Sequence, residues 1–143
     1  MSTNDEILKV STQFYDALNS MAGGDATPMT AVWATSQDST AQHPIGGRDI
    51  GSKAVLSSFA KVAAIAQSGT IVITDQKIDL AGDTAIETGV EAGTLTIAGH
   101  TATINQRVTN VYRRQDGVWR MQHHHTDVAP ELLDILAKLG PSA

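Results

Sequence analysis

The strongest constraint in this sequence is a single change of hydrophobic period near Thr70. Before it, apolar residues recur at helical spacing; after it, β-branched residues run in long stretches separated by short turn signals. A chain built as helices first and strands afterwards has few crossovers. It packs as an α+β structure, with helices on one face of a curved antiparallel sheet. The 143 residues, 41% of them hydrophobic, suffice for one core and are read as one domain, 1–143.

Ile7, Val10, Phe14, Ala17, Leu18 and Met21 form the apolar stripe of a helix over 4–21, which Thr3, Asn4 or Asp5 can cap and Gly23-Gly24 stop. Pro28 opens a short second helix over 28–34, with Met29, Val32 and Trp33 on its apolar side. The polar stretch 36–51 is broken by His43-Pro44-Ile45-Gly46-Gly47, which predicts an extended segment ending in a turn. Val55, Leu56, Phe59, Val62, Ala63 and Ala66 mark a third helix over 52–67, capped by Ser52. One or two strands are expected over 70–80, and further strands over 84–96, 101–114 and 118–128, with turns at Ala81-Gly82-Asp83, Gly99-His100 and Gln115-Asp116-Gly117. Pro130 opens a last helix over 131–139, closed by Gly140-Pro141.

Charge and composition narrow the function. Ten basic residues against 15 acidic ones give a net charge of −5, which argues against a nucleic-acid backbone or an anionic membrane as partner. The absence of cysteine excludes disulfides, thiolate metal sites and cysteine nucleophiles. No apolar run approaches the roughly 20 residues of a membrane span. The opening Met1-Ser2-Thr3-Asn4-Asp5-Glu6 lacks a signal peptide's basic start, so a cytoplasmic location is expected.

Three segments in order resemble the nuclear transport factor 2-like superfamily, in particular its SnoaL-like and ketosteroid-isomerase-like branch. They are Phe14-Tyr15-Asp16-Ala17-Leu18 before Gly24-Asp25; Val32-Trp33 leading through His43-Pro44-Ile45-Gly46-Gly47 to Arg48 and Gly51; and the closing run from Arg107 to Thr126. The Asp116-Gly117-Val118-Trp119 turn, followed by a His-x-His strand, is also similar to the association domain of calcium/calmodulin-dependent kinase II. The resemblance implies a cone of curved sheet, three N-terminal helices over its concave face, a short C-terminal helix, an apolar internal pocket and a homodimer through the outer sheet face. It implies no cofactor. The partner implied is a small apolar or carboxylate-bearing molecule.

The same resemblance directs attention to particular side chains. His43 stands where isomerases of that branch place a proton-shuttling carboxylate; the alternative is a loop histidine bonded to backbone. Tyr15 falls where they place an oxyanion donor, or it is a tyrosine satisfied at a helix–sheet contact. Thr109 replaces their second, acidic donor. Arg107 either grips a ligand carboxylate or pairs with Glu87 or Glu91 on a neighbouring strand. Trp33 and Phe59 read as pocket wall or core.

The triplet His123-His124-His125 cannot form one ligand set, because strand neighbours point to opposite faces. Apolarity puts the Trp119 and Met121 row inside. The isomerase pattern instead turns Gln122, His124 and Thr126 towards the pocket and leaves the Trp119 row for a dimer contact; both hold if both faces are covered, and a buried bulge would break the simple parity. His123 and His125 could chelate with His43 or Asp127, but no metalloenzyme spacing is present and no metal is expected. Two functions stay open. One is proton-transfer chemistry (isomerisation, cyclisation or dehydration) on a carbonyl-bearing substrate, with His43 as acid or base, Tyr15 as donor, and Arg107 and His124 orienting. The other is a non-catalytic ligand-binding or association domain.

Overall fold

Helix α1 (Thr3–Ala22) buries Ile7, Val10, Phe14, Leu18 and Met21, the stripe its spacing predicts. Each such side chain contributes about 1.5–3 kcal/mol on leaving water. The computed structural model describes residues 3–140, so Pro141, expected to help close the last helix, and Met1-Ser2 lie outside the described residues. Helix α2 (Met29–Val32) is shorter than its apolar pattern suggests, because Trp33 leaves the helix to form a bridge with Met121. The polar stretch after it is a hairpin of two strands, β1 (Thr40–His43) and β2 (Gly46–Ile50), rather than one extended segment.

Helix α3 (Ser52–Ile65) runs directly into β3 (Ala66–Ala81). The strand starts four residues before the predicted Thr70, because Ala66 to Gly69 pair with the far end of the next strand. Ser52 does not cap α3; the cap position is Gly51, and the Ser52 hydroxyl accepts a hydrogen bond from the Ser36 amide at 3.1 Å. Strands β4 (Thr84–Ile97), β5 (His100–Gln115) and β6 (Val118–Thr126) form the antiparallel body of the sheet, and α4 (Pro130–Leu139) follows. The β5–β6 hairpin turns at Asp116-Gly117, with φ of 53° and 77°, the left-handed pair that an Asp-Gly turn supplies.

The sheet has six strands in the order β2-β1-β6-β5-β4-β3 and is open and curved. All its pairings are antiparallel except β1 with β6, which is parallel. Curvature is written into β4. A Cβ at Gly93 would lie 1.8 Å from the Thr70 carbonyl oxygen, so no other residue fits where β3 and β4 bend together. The expected α+β cone, with helices over its concave face, is the architecture found.

Parity within the sheet decides what enters the cone. On β5 the buried row is Ala102, Ile104, Gln106, Val108, Asn110 and Tyr112, and the odd-numbered residues face outward. On β6 a bulge intervenes: Tyr112 pairs with Met121 and Val111 with His123, leaving Gln122 unpaired. Trp119 and Met121 therefore share the inner face with His124 and Thr126: the Trp119 row is inward before the bulge, and the His124 row after it.

Candidate functional site

Between the sheet and the helices lies an apolar cavity of about 200 Å³. An apolar cavity of about 150 Å³ accommodates benzene, so this one has room for a ring with substituents. Leu18 and Met21 of α1, Phe59 and Val62 of α3, Leu132 and Leu136 of α4 and Ile71, Leu95 and Ile104 of the sheet form its greasy walls. Six polar side chains line it: His43 from the β1–β2 hairpin, Ser58 and Lys61 from α3, Glu91 from β4, Gln106 from β5 and His124 from β6.

His43 sits at the end of β1, where the hairpin folds Asp49 of β2 back beside it. His43 Nε2 donates to Asp49 Oδ2 at 2.9 Å, and the same oxygen accepts from the Ser58 hydroxyl. Since a carboxylate only accepts, Nε2 carries the hydrogen and Nδ1 keeps the lone pair. The ring stands edge-on to Phe59 at 5.0 Å. Burial lowers the His43 pKa below its ordinary value, and the Asp49 charge partly offsets that, so the imidazole is neutral near pH 7.

His124 is held from the other side. Asn110 donates through Nδ2 to Glu87 Oε1 at 2.9 Å and to the Tyr15 hydroxyl at 3.1 Å, so its Oδ1 must be the acceptor for His124 Nδ1 at 2.6 Å. That bond makes His124 the Nδ1–H tautomer and leaves the lone pair on Nε2. Complete burial drives its pKa well down, helped by the neighbouring histidines. The rings of His43 and His124 are 6.3 Å apart. Two neutral imidazoles, each with one nitrogen committed to the protein, thus line one apolar chamber.

Behind them lies a network on two buried carboxyls. Glu87 accepts from Ser11 and Gln76 at 2.6 Å each, from Tyr112 at 2.8 Å and from Asn110 at 2.9 Å. It is 0% exposed and structurally saturated. Glu91 accepts from the Tyr15 hydroxyl at 2.9 Å and from Gln106 Nε2 at 2.8 Å. Burial raises its pKa, while those two hydrogen bonds pull the other way.

Several expected site residues are placed differently. Arg107 and Thr109 belong to the outward row of β5, so neither reaches the cavity. Arg107 is paired bidentately with Asp127 at 2.9 Å on the surface, not with Glu87 or Glu91, which face inward. Tyr15 does not line the cavity, and its hydroxyl hydrogen is committed to Glu91. Trp33 stands behind Phe59 at 6.0 Å, and Gln122 is the buried bulge residue; both lie outside the cavity wall. His43, Phe59 and His124 do line it. His123 and His125 are on the outer side of β6, turned away from His43, and among the described residues no group of three or more metal-binding side chains occurs.

Asp49, Glu91, Gln106 and Asn110 complete the site and were not singled out as site residues from sequence. One signal was available: Glu87 and Glu91 share a strand face with Ala85, Leu95 and Ile97, an apolar row interrupted by two acids. Asp49 had none until the hairpin brought it to His43.

Similarity to known proteins agrees with this architecture. A candidate dehydratase of the nuclear transport factor 2-like family from Streptomyces avermitilis superposes with a TM-score of 0.76 at 24% identity, over 87% of this chain and 94% of that one. A candidate calcium/calmodulin-dependent protein kinase type II association domain from Thiobacillus denitrificans gives 0.66 at 28% identity, over 83% and 91%. A candidate scytalone dehydratase from Novosphingobium aromaticivorans gives 0.71 at 10% identity, over 85% and 80%. A search of the curated proteins finds none that matches. The SnoaL-like domain family matches residues 7–129, and the chain belongs to that family.

Proposed function

We propose that the cavity catalyses proton transfer on a small carbonyl-bearing substrate, of the dehydratase or isomerase kind. The observation that supports this most is the pair of oriented neutral imidazoles, rings 6.3 Å apart, in a chamber walled mainly by apolar side chains. His43 Nδ1 takes a proton from the carbon next to the carbonyl, and the C–H electrons move into the enolate. The same proton then returns to another carbon, which is isomerisation, or leaves with a hydroxyl group as water, which is dehydration. Asp49 steadies the imidazolium formed in between. His124 Nε2 accepts a hydrogen bond from the substrate and fixes its orientation. The dehydratase names of two structural relatives support the same chemistry.

A second reading is an association domain that binds ligand without turnover, supported by the association-domain relatives. Under either reading a second copy of the chain pairs through the outer sheet face. Deuterium uptake at the α-carbons of cyclohexanone and acetophenone, followed by proton NMR, separates the two readings. Wild type should accelerate exchange over buffer, and His43→Ala should lose at least about 100-fold of that acceleration while staying folded. Equal exchange in the variant and the wild type removes His43 from the chemistry.

A further inference from the structure

We infer that the wall formed by Gln106 and Glu91 is a hydroxyl-recognising subsite, so the cavity's ligand carries an O–H or N–H donor directed at Gln106 Oε1. This rests on the cavity being a ligand site, as proposed above, but not on His43 performing catalysis. Gln106 is 5% exposed and lines the cavity, and its Oε1 has no hydrogen-bond partner. A buried acceptor left unmade is costly, so a group delivered to it gains the full benefit of the bond.

While Glu91 is ionised the amide cannot turn over to relieve this. Its Nε2 donates to Glu91 Oε1 at 2.8 Å, and a flip would set oxygen against oxygen. The other Glu91 oxygen is occupied by the Tyr15 hydroxyl at 2.9 Å, and Tyr15 accepts in turn from Asn110, the partner of His124. The subsite is thereby held rigid by the chain of hydrogen bonds that also orients His124. Leu95, Ile97 and Ile104 surround it, and they offer nothing polar.

The chemistry of this wall selects among ligands. It presents acceptors and no spare donor, so a carbonyl or carboxylate placed there meets lone pairs. Arg107, the cation expected to receive a carboxylate, is outside and bound to Asp127; the cavity's lysine is Lys61 of α3, an exposed residue on a different element from Gln106 and Glu91. The class that fits is a hydroxylated single-ring carbonyl compound, its hydroxyl at Gln106 and its carbonyl elsewhere in the chamber.

Isothermal titration of the full chain with 4-hydroxyacetophenone, 4-methoxyacetophenone, acetophenone and 4-acetylbenzoate tests this. The hydroxylated compound should bind about tenfold or more tighter than each of the others. Gln106→Leu should erase that preference while still binding acetophenone. The wild-type comparison stands even where the variant fails to fold. Equal affinities in the wild type (a water already serving Oε1), tighter binding of the carboxylate, or no binding of the hydroxylated compound each overturn the subsite. Repeating the titration in His43→Ala keeps the tests apart: the preference persists there whether or not His43 is catalytic.

Discussion

Replacing His124 with glutamine should change how stability depends on acidity, and the size of the change follows from the burial of the ring. His124 is 2% exposed, packed 5.0 Å from Phe14, and its Nδ1–H is spent on Asn110. Its folded pKa lies well below the ordinary 6.5, first through desolvation and then through the nearby His43, His123 and His125. The unfolded chain therefore binds a proton that the folded chain refuses. Stability from this group is fully present above the unfolded value near 6.5 and is lost as pH falls below it. One proton sets the slope at about 1.4 kcal/mol per pH unit. Between pH 6.5 and pH 5.5 the wild type should thus lose about 1 kcal/mol more than His124→Gln, which keeps a polar side chain but does not titrate. Contributions from His43 and from Glu91, which has the opposite sign because its pKa is raised, are common to both proteins and largely cancel in the difference. Urea titrations at pH 7.5, 6.5 and 5.5 measure it. Stability curves that stay parallel between the two proteins would refute the argument, since they would mean that His124 accepts its proton without unfolding.

Two further changes probe the walls on either side of the cavity. Glu87→Gln places an amide among four donors already aimed at the carboxylate, and it should destabilise the fold by about 3 kcal/mol in urea denaturation. A cost near zero would show that this network is not held as described. Arg107→Ala should leave α-proton exchange unchanged, because the guanidinium is on the outer face bound to Asp127. Loss of exchange there would return Arg107 to the site.

Local features account for most of what the sequence foretold. The stripe Ile7, Val10, Phe14, Leu18, Met21 is a property of spacing alone, and it became the buried side of α1. Asp116-Gly117 carries its turn in its own backbone preferences, and it became the β5–β6 hairpin. The resemblance through Phe14-Tyr15 and the His43-Pro44 loop led to the family and brought His43, Phe59 and His124 to the cavity wall.

What a strand's side chains meet on the inside is another kind of fact, because it depends on partners far away in the chain. On β5 the even row holds Ala102, Ile104, Val108 and Tyr112 while the odd row is polar apart from Val111, so alternation already favoured Gln106 over Arg107 for the interior; what needed the fold is the pairing that sets Gln106 opposite Glu91. The Gln122 bulge, which lets Trp119 and His124 share one face, is a register event between β5 and β6 that neither strand announces. The Asp49–His43 bond exists because a five-residue strand folds back, and the Tyr15–Glu91 bond spans 76 positions. Spacing and turn chemistry are written residue by residue. Register and facing are set by the free energy of long-range pairing, and this site is built almost wholly from those.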